Sequence, residues 1–208
     1  MRKPPVALLI VMLGWLGASS APTQDCCHRS IAPTHPTISA NPMPSFNMDD
    51  VRNEFNASSN KARVIALLSP TCSDCQSGHA GVGRMLERDP SPKLRVVLVW
   101  EPMRDGDDAT SATKQAEAVK DARIAQGWDG SRDLGKLFGE TLDLRQIAWD
   151  VYLVYKPGVT WKGRQPPRPT FWMHQLEGVK PNRLLCANPT RLSADVEKLL
   201  GHSLDHLP

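Results

Sequence analysis

"ALLSPTCSDCQ", residues 66–76, sets two cysteines three positions apart directly behind an apolar run. Extended backward, the run reads "ARVIALLSP" (62–70), a continuous apolar stretch stopped by Pro70. That is the pattern of a strand buried on both faces. Forward, Cys75, Val82, Met85 and Leu86 recur on one helical face. Gly78, Gly81 and Gly83 weaken this helix and mark a kink or a close approach of backbone. A strand that runs into C-x-x-C at a helix start has a chemical consequence. The first cysteine meets free backbone N–H groups and the positive end of the helix dipole, which favour a thiolate. The second lies almost a turn further on, close enough to displace an attacked mixed disulfide. Cys72 is therefore expected to be an exposed nucleophile and Cys75 the resolving thiol.

Outward from this stretch the chain alternates. "FNMDDVRNEF" (46–55) reads as a short helix with Asn47 as N-cap and Asp49 and Asp50 in its first turn. "KLRVVLVWEPM" (93–103) reads as a second fully buried strand. "SATKQAEAVKDARIA" (111–125) and "SRDLGKLFGETL" (131–142) both read as helices. "AWDVYLVYKPGVTW" (148–161) reads as a strand, a Pro-Gly turn and a returning strand. "RLSADVEKLLGHSL" (191–204) is an amphipathic C-terminal helix. Strands alternating with helices imply an α/β domain, its partly parallel sheet covered on both faces.

With these residues in place, the chain resembles the thioredoxin-like superfamily from about Val64 to Leu200. It is most similar to the exported branch related to peroxiredoxins and tethered thiol-disulfide reductases. The resemblance implies a thioredoxin-like fold, a central mixed sheet flanked by helices, with an extra strand–helix insertion at residues 104–130. It also implies disulfide exchange with a protein dithiol or disulfide partner, carried by Cys72 and Cys75. Three positions depart from the family. Its Trp-Cys-Gly-Pro-Cys is here Thr71-Cys72-Ser73-Asp74-Cys75. The buried acid six residues before the first cysteine is Ala66. The cis-proline that faces the cysteines falls at Asp150, beside Trp149, when helix 131–142 and the Pro-Gly turn are kept in register. Pro169-Thr170 copies the family's Pro-Thr more literally but sits out of that register. Asp150, Trp149, Asp74 and Thr71 are thus the candidate modulators of the pair.

Other chemistry stays open at this level. Cys72, Cys75 and His79 could share a helix face and hold a metal, with Cys186 or His174 completing four ligands. A static disulfide between Cys72 and Cys75 is also compatible with the spacing. A peroxide-reducing enzyme would need the Thr-x-x-Cys that is missing before Cys72. The pair itself calls for no cofactor. Cys26, Cys27 and Cys186 could tie the linker to the domain and leave one odd thiol. Most of the tryptophans are expected in the core, and "NAS" at Asn56 fits a glycosylation sequon.

Composition bounds the rest. The 208 residues are 40% hydrophobic and 23% charged, which suits one globular domain. "MRKPP" followed by "VALLIVMLGWL" (6–16) and "GASSA" has the tripartite form of a signal peptide, expected over residues 1–20. The protein is then exported, periplasmic or extracellular, and meets a membrane only if this leader stays uncleaved. Arg2 and Lys3 are the only charged residues of the leader, so 23 of the 25 basic residues remain against 22 acidic ones. Such a balance recruits no nucleic acid. Residues 21–45 carry five prolines without a hydrophobic period and read as a linker, ahead of a domain spanning 46–208.

Overall fold

The computed structural model describes residues 43–176. The expected leader, most of the expected linker, the expected C-terminal helix, Cys26, Cys27 and Cys186 lie outside them.

Two strands with no polar face form the centre. β1 (Ala62–Leu68) is buried at every residue and β2 (Leu94–Trp100) at all but Arg95. They pair in parallel from Ala62 opposite Leu94 to Leu68 opposite Trp100. Parallel pairing requires a crossover, supplied by helix α2 (Ser73–Arg88). On one side β3 (Ile124–Trp128) joins β2 in parallel, and on the other β4 (Val151–Tyr155) joins β1 antiparallel. β5 (Phe171–His174) closes that edge antiparallel to β4, giving the order β3-β2-β1-β4-β5.

Side-chain alternation divides the core into two layers. Ala62, Val64, Ala66 and Leu68 face α2 and the short helix α3 (Ala109–Ala116), with Cys75, Val82 and Met85 packed on them. Ile65 and Leu67 face the opposite layer, built by α1 (Met48–Ala57) and α4 (Asp133–Thr141). α1 starts as its sequence specifies. Asn47 accepts from the Asp49 and Asp50 N–H groups, and Asp50 reaches back to the Asn47 N–H. Helices on both faces of a mixed sheet, with C-x-x-C between β1 and α2, are the thioredoxin-like fold that the sequence led us to expect.

Two elements correct the sequence reading. The helix expected over 111–125 stops at Ala116, and its tail becomes β3. Arg123 anchors this strand: its guanidinium donates to the Leu86, Asp89 and Ser91 carbonyls and pairs with Asp121. The insertion therefore runs helix then strand. β3 carries no apolar run because it is an edge strand, and at Gly127 the Phe46 ring lies where a side chain would stand. Residues ahead of α1 extend this edge, where Trp128 N–H donates to the Pro44 carbonyl and Phe46 N–H to that of Trp128.

The second correction concerns the returning strand, which is Phe171–His174 and not 159–161. After the Pro157–Gly158 turn the chain leaves the sheet, because Trp161 is drawn into the α1/α4 layer beside Phe55 and Phe138. Both amide atoms of Asn56 hold the Trp161 backbone, at 2.8 and 3.0 Å, so the sequon at this position is committed to packing. Among the tryptophans, Trp100 and Trp161 are buried, while Trp128, Trp149 and Trp172 are half-buried.

Candidate active site

β1 ends at Leu68, and four residues later Cys72 forms the N-cap of α2 in extended conformation (φ −79°, ψ 124°). This geometry brings two free N–H groups of the first turn of α2, those of Asp74 and Cys75, toward the Cys72 sulfur. Cys75, one turn inside, is completely buried, and the Ser69 N–H lies 3.4 Å from its sulfur. Both cysteines are free thiols. Cys72 is not exposed as expected: only 5% of it is accessible, because Thr71 and Ser73 carry the surface on either side.

Asp150 stands beside them. Its carboxylate and the two sulfurs all lie within 4.8 Å of one another, and all three residues are buried. The residue immediately precedes β4 with φ +49°, in the left-handed region where Asp and Asn are the commonest non-glycine residues. Its carbonyl accepts from the Gln175 N–H, and its carboxylate accepts from the Gln175 amide at 3.0 Å. The Tyr152 hydroxyl approaches the other carboxylate oxygen at 3.4 Å. Trp149 is half-buried and touches both core layers. Pro169 is at the far end of β4, since Thr170 N–H bonds to the Val154 carbonyl, and it does not approach the thiols.

The electrostatics separate the two thiols. Cys72 is pulled down to about 6, first by the hydrogen bond from the Cys75 thiol and then by the Cys75 and Asp74 N–H groups, against burial and the Asp74 charge. Cys75 is pushed well above the usual thiol range, first by burial, then by its hydrogen bond to Cys72 and the charge of Asp150. Asp150 itself is raised to about 7, chiefly by burial, with the Cys72 and Asp74 charges adding to it. Such an arrangement can hold a thiolate at Cys72 and a proton at Cys75 near neutral pH.

The alternative metal set of Cys72, Cys75 and His79 does not come together among the described residues. His79 is buried, its ring edge-on to Trp100 at 5.1 Å, and burial depresses it to about 4. His174 packs against Trp172 on the other side of the sheet, since it pairs with Val151. Among the described residues the group able to hold a cation is Cys72, Cys75 and Asp150.

Sequence reasoning missed Asp107. Its carboxylate accepts from Thr71 N–H and Oγ1, from Ser69 Oγ, and from the Met103 and Arg104 N–H groups. The insertion loop thereby clamps the segment that delivers Cys72. The only signal was "RDGDD" (104–108), which marks a turn but not what the turn holds.

No family model matches the sequence, and no curated protein does. Among solved structures the chain is similar to a secreted Mycobacterium tuberculosis disulfide oxidoreductase homologous to E. coli DsbE. That match has 11% identity and a TM-score of 0.48, over 68% of this chain and 84% of that one. It is also similar to a putative thiol:disulfide interchange protein DsbE from Chlorobium tepidum (11% identity, TM-score 0.46, 83% and 98% covered). A SCO1/SenC family lipoprotein from Bacillus anthracis matches at 11% identity and TM-score 0.46, with 78% and 94% covered.

Proposed function

We propose that this protein is an exported thiol-disulfide oxidoreductase that exchanges disulfides with a protein partner through Cys72 and Cys75. The observation that carries this reading is the opposite polarisation of two free thiols within 4.8 Å of each other. The Cys72 thiolate attacks one sulfur of the partner's disulfide, forming a mixed disulfide and expelling the partner's other sulfur as a thiolate. Cys75 then loses its proton and attacks the Cys72 sulfur, which releases the partner and leaves a Cys72–Cys75 disulfide. Two electrons pass from this chain to the partner, and the reverse sequence oxidises a partner dithiol. Thr71 and Asp74 line the approach to Cys72, and Trp149 flanks Asp150. The tripartite start of the sequence supports export, to a compartment where disulfides persist.

Equilibration of the protein with glutathione buffers tests this reading. A reversible loss of two hydrogen atoms by mass, localised to Cys72 and Cys75, is expected. In Cys75→Ser the mixed disulfide at Cys72 should accumulate. A pair that stays reduced in every buffer would exclude exchange. A second reading, a thiolate-bound cation held by Cys72, Cys75 and Asp150, rests on their mutual distance. It predicts that stoichiometric Zn²⁺ protects both cysteines from alkylation.

A further inference from the structure

Exchange through a buried second thiol leaves a chemical demand unmet. Cys75 has to shed a proton before it can attack, yet it is wholly enclosed and strongly biased toward the neutral form. Water does not reach it, and Cys72 is tied up in the mixed disulfide at that moment. His79, one helical turn further on, faces Trp100 and is not part of the cluster. The position in β1 that faces α2 from beneath the cysteines is Ala66, which offers no proton-accepting group. Its cross-strand partner is Tyr152, whose hydroxyl leads instead to Asp150. Among the described residues, the carboxylate of Asp150 is the proton-accepting side chain within reach of the Cys75 sulfur.

We propose that Asp150 is the base that takes the Cys75 proton during resolution and the acid that returns it in the reverse step. The proposal rests on the exchange reading above. The step balances as follows. The carboxylate accepts the Cys75 proton, and the thiolate so formed attacks the Cys72 sulfur. The Cys72–Cys75 bond forms, the bond from Cys72 to the partner breaks, and the partner's sulfur leaves with the electron pair. The carboxylic acid then gives its proton to the leaving thiolate or to solvent.

The surroundings suit a shuttle. The Asp150 carboxylate lies within 4.8 Å of the Cys75 sulfur, both residues are buried, and burial raises the carboxyl above its ordinary range. Gln175 and Tyr152 each donate to the carboxylate, and they fix its direction. The charged and titratable groups that face it are Cys72, Cys75 and Asp74 from α2 and Tyr152 from its own strand. His174 of β5, paired with Val151, is on the opposite face of the sheet. In the mixed disulfide Cys72 carries no charge, so one influence that raises Asp150 disappears.

The test is single-turnover oxidation of the reduced protein by oxidised glutathione, with acid quenching and mass analysis to follow the two steps separately. Asp150→Asn keeps the shape and is comfortable at positive φ. In that variant the Cys72–glutathione adduct should form at a rate within a few-fold of wild type. Its conversion to the Cys72–Cys75 disulfide should slow by roughly 100-fold, the low end of what a positioned base contributes. Wild-type resolution should rise with pH and level off above about 7, whereas the variant should keep rising with hydroxide. Equal resolution rates with the same pH profile in both proteins would overturn the assignment. If the variant does not fold, the wild-type profile decides alone, because a rate still climbing from pH 7 to 9 reports Cys75 titrating without help. Wild-type protein that forms neither adduct nor disulfide would overturn the exchange reading and this assignment with it.

Discussion

The Tyr152 hydroxyl occupies the space that a side chain at position 78 would need: a Cβ on Gly78 would lie 1.6 Å from that oxygen. The glycine that weakens α2 in sequence is thus what lets Tyr152 pass beneath the helix and reach Asp150. Gly78→Ala should destabilise the protein by about 1–3 kcal/mol, the usual cost of overpacking. Urea unfolding measures this. Adding Tyr152→Phe removes the closest atom of the clash, so the double variant should lose less than the sum of the single changes. A Gly78→Ala midpoint equal to wild type would mean that the two elements do not meet in this way.

Reactivity should separate the cysteines. With Cys72 near 6 and Cys75 well above the usual range, iodoacetamide at pH 7 should modify Cys72 at least tenfold faster. The Cys72 rate should climb through pH 6 and flatten above it, following the thiolate fraction. Peptide mapping after timed quenching gives both rates. Comparable rates at the two sites would remove the basis for assigning the nucleophile.

Asp107 predicts an effect at a distance in sequence. Asp107→Ala deletes the acceptor for Ser69, Thr71, Met103 and Arg104 together. Because the loop is partly solvated, water takes over some of these bonds, and a loss of about 2 kcal/mol is expected. Thermal unfolding reads the stability. The alkylation rate of Cys72 should change as well, since Thr71 no longer fixes the approach to α2. Unaltered stability and unaltered Cys72 kinetics would show that the clamp has no consequence.

His79 and Asp150 give the pH dependence of stability opposite signs. Burial lowers His79 to about 4 from the ordinary 6.5, so the unfolded chain takes up the proton first. Its contribution is complete above 6.5 and lost as pH falls toward 4, by up to about 1.4 kcal/mol per pH unit. Asp150 is raised from 3.8 to about 7, so its contribution is complete below 3.8 and lost as pH rises to 7. Between pH 4 and 6.5 the two contributions oppose each other, so in His79→Leu, where only that of Asp150 remains, stability should fall as pH rises across this range. Denaturant midpoints at half-unit intervals from pH 4 to 8 resolve the two. A variant whose curve runs parallel to wild type between 4 and 6.5 would show that His79 is not held neutral.

What the sequence disclosed depends on how local each determinant is. β1, β2 and the start of α2 were legible because unbroken apolar runs and a helix-opening C-x-x-C need no partner to be recognised. Asp150 came from keeping register between a helix and a turn, and the fold places it among the thiols. β3 was hidden because a short edge strand that contains Gln126 and Gly127 has neither an apolar run nor alternation. β5 was misplaced because Trp161 looks like a strand residue until α1 and α4 provide a pocket for it. The burial of Cys72 and the clamp at Asp107 are tertiary facts, set by a loop that lies 36 residues downstream of Thr71.

The backbone at Asp150 also restricts which residue can stand there. Proline confines φ to about −65°, and this residue stands at +49°. Proline could not replace Asp150 with the chain path left in place. Residues 148–151 would have to be re-laid in the same event, together with the grip of Gln175 on the Asp150 carbonyl. Position 150 is thereby closed to proline for as long as its neighbours keep this path.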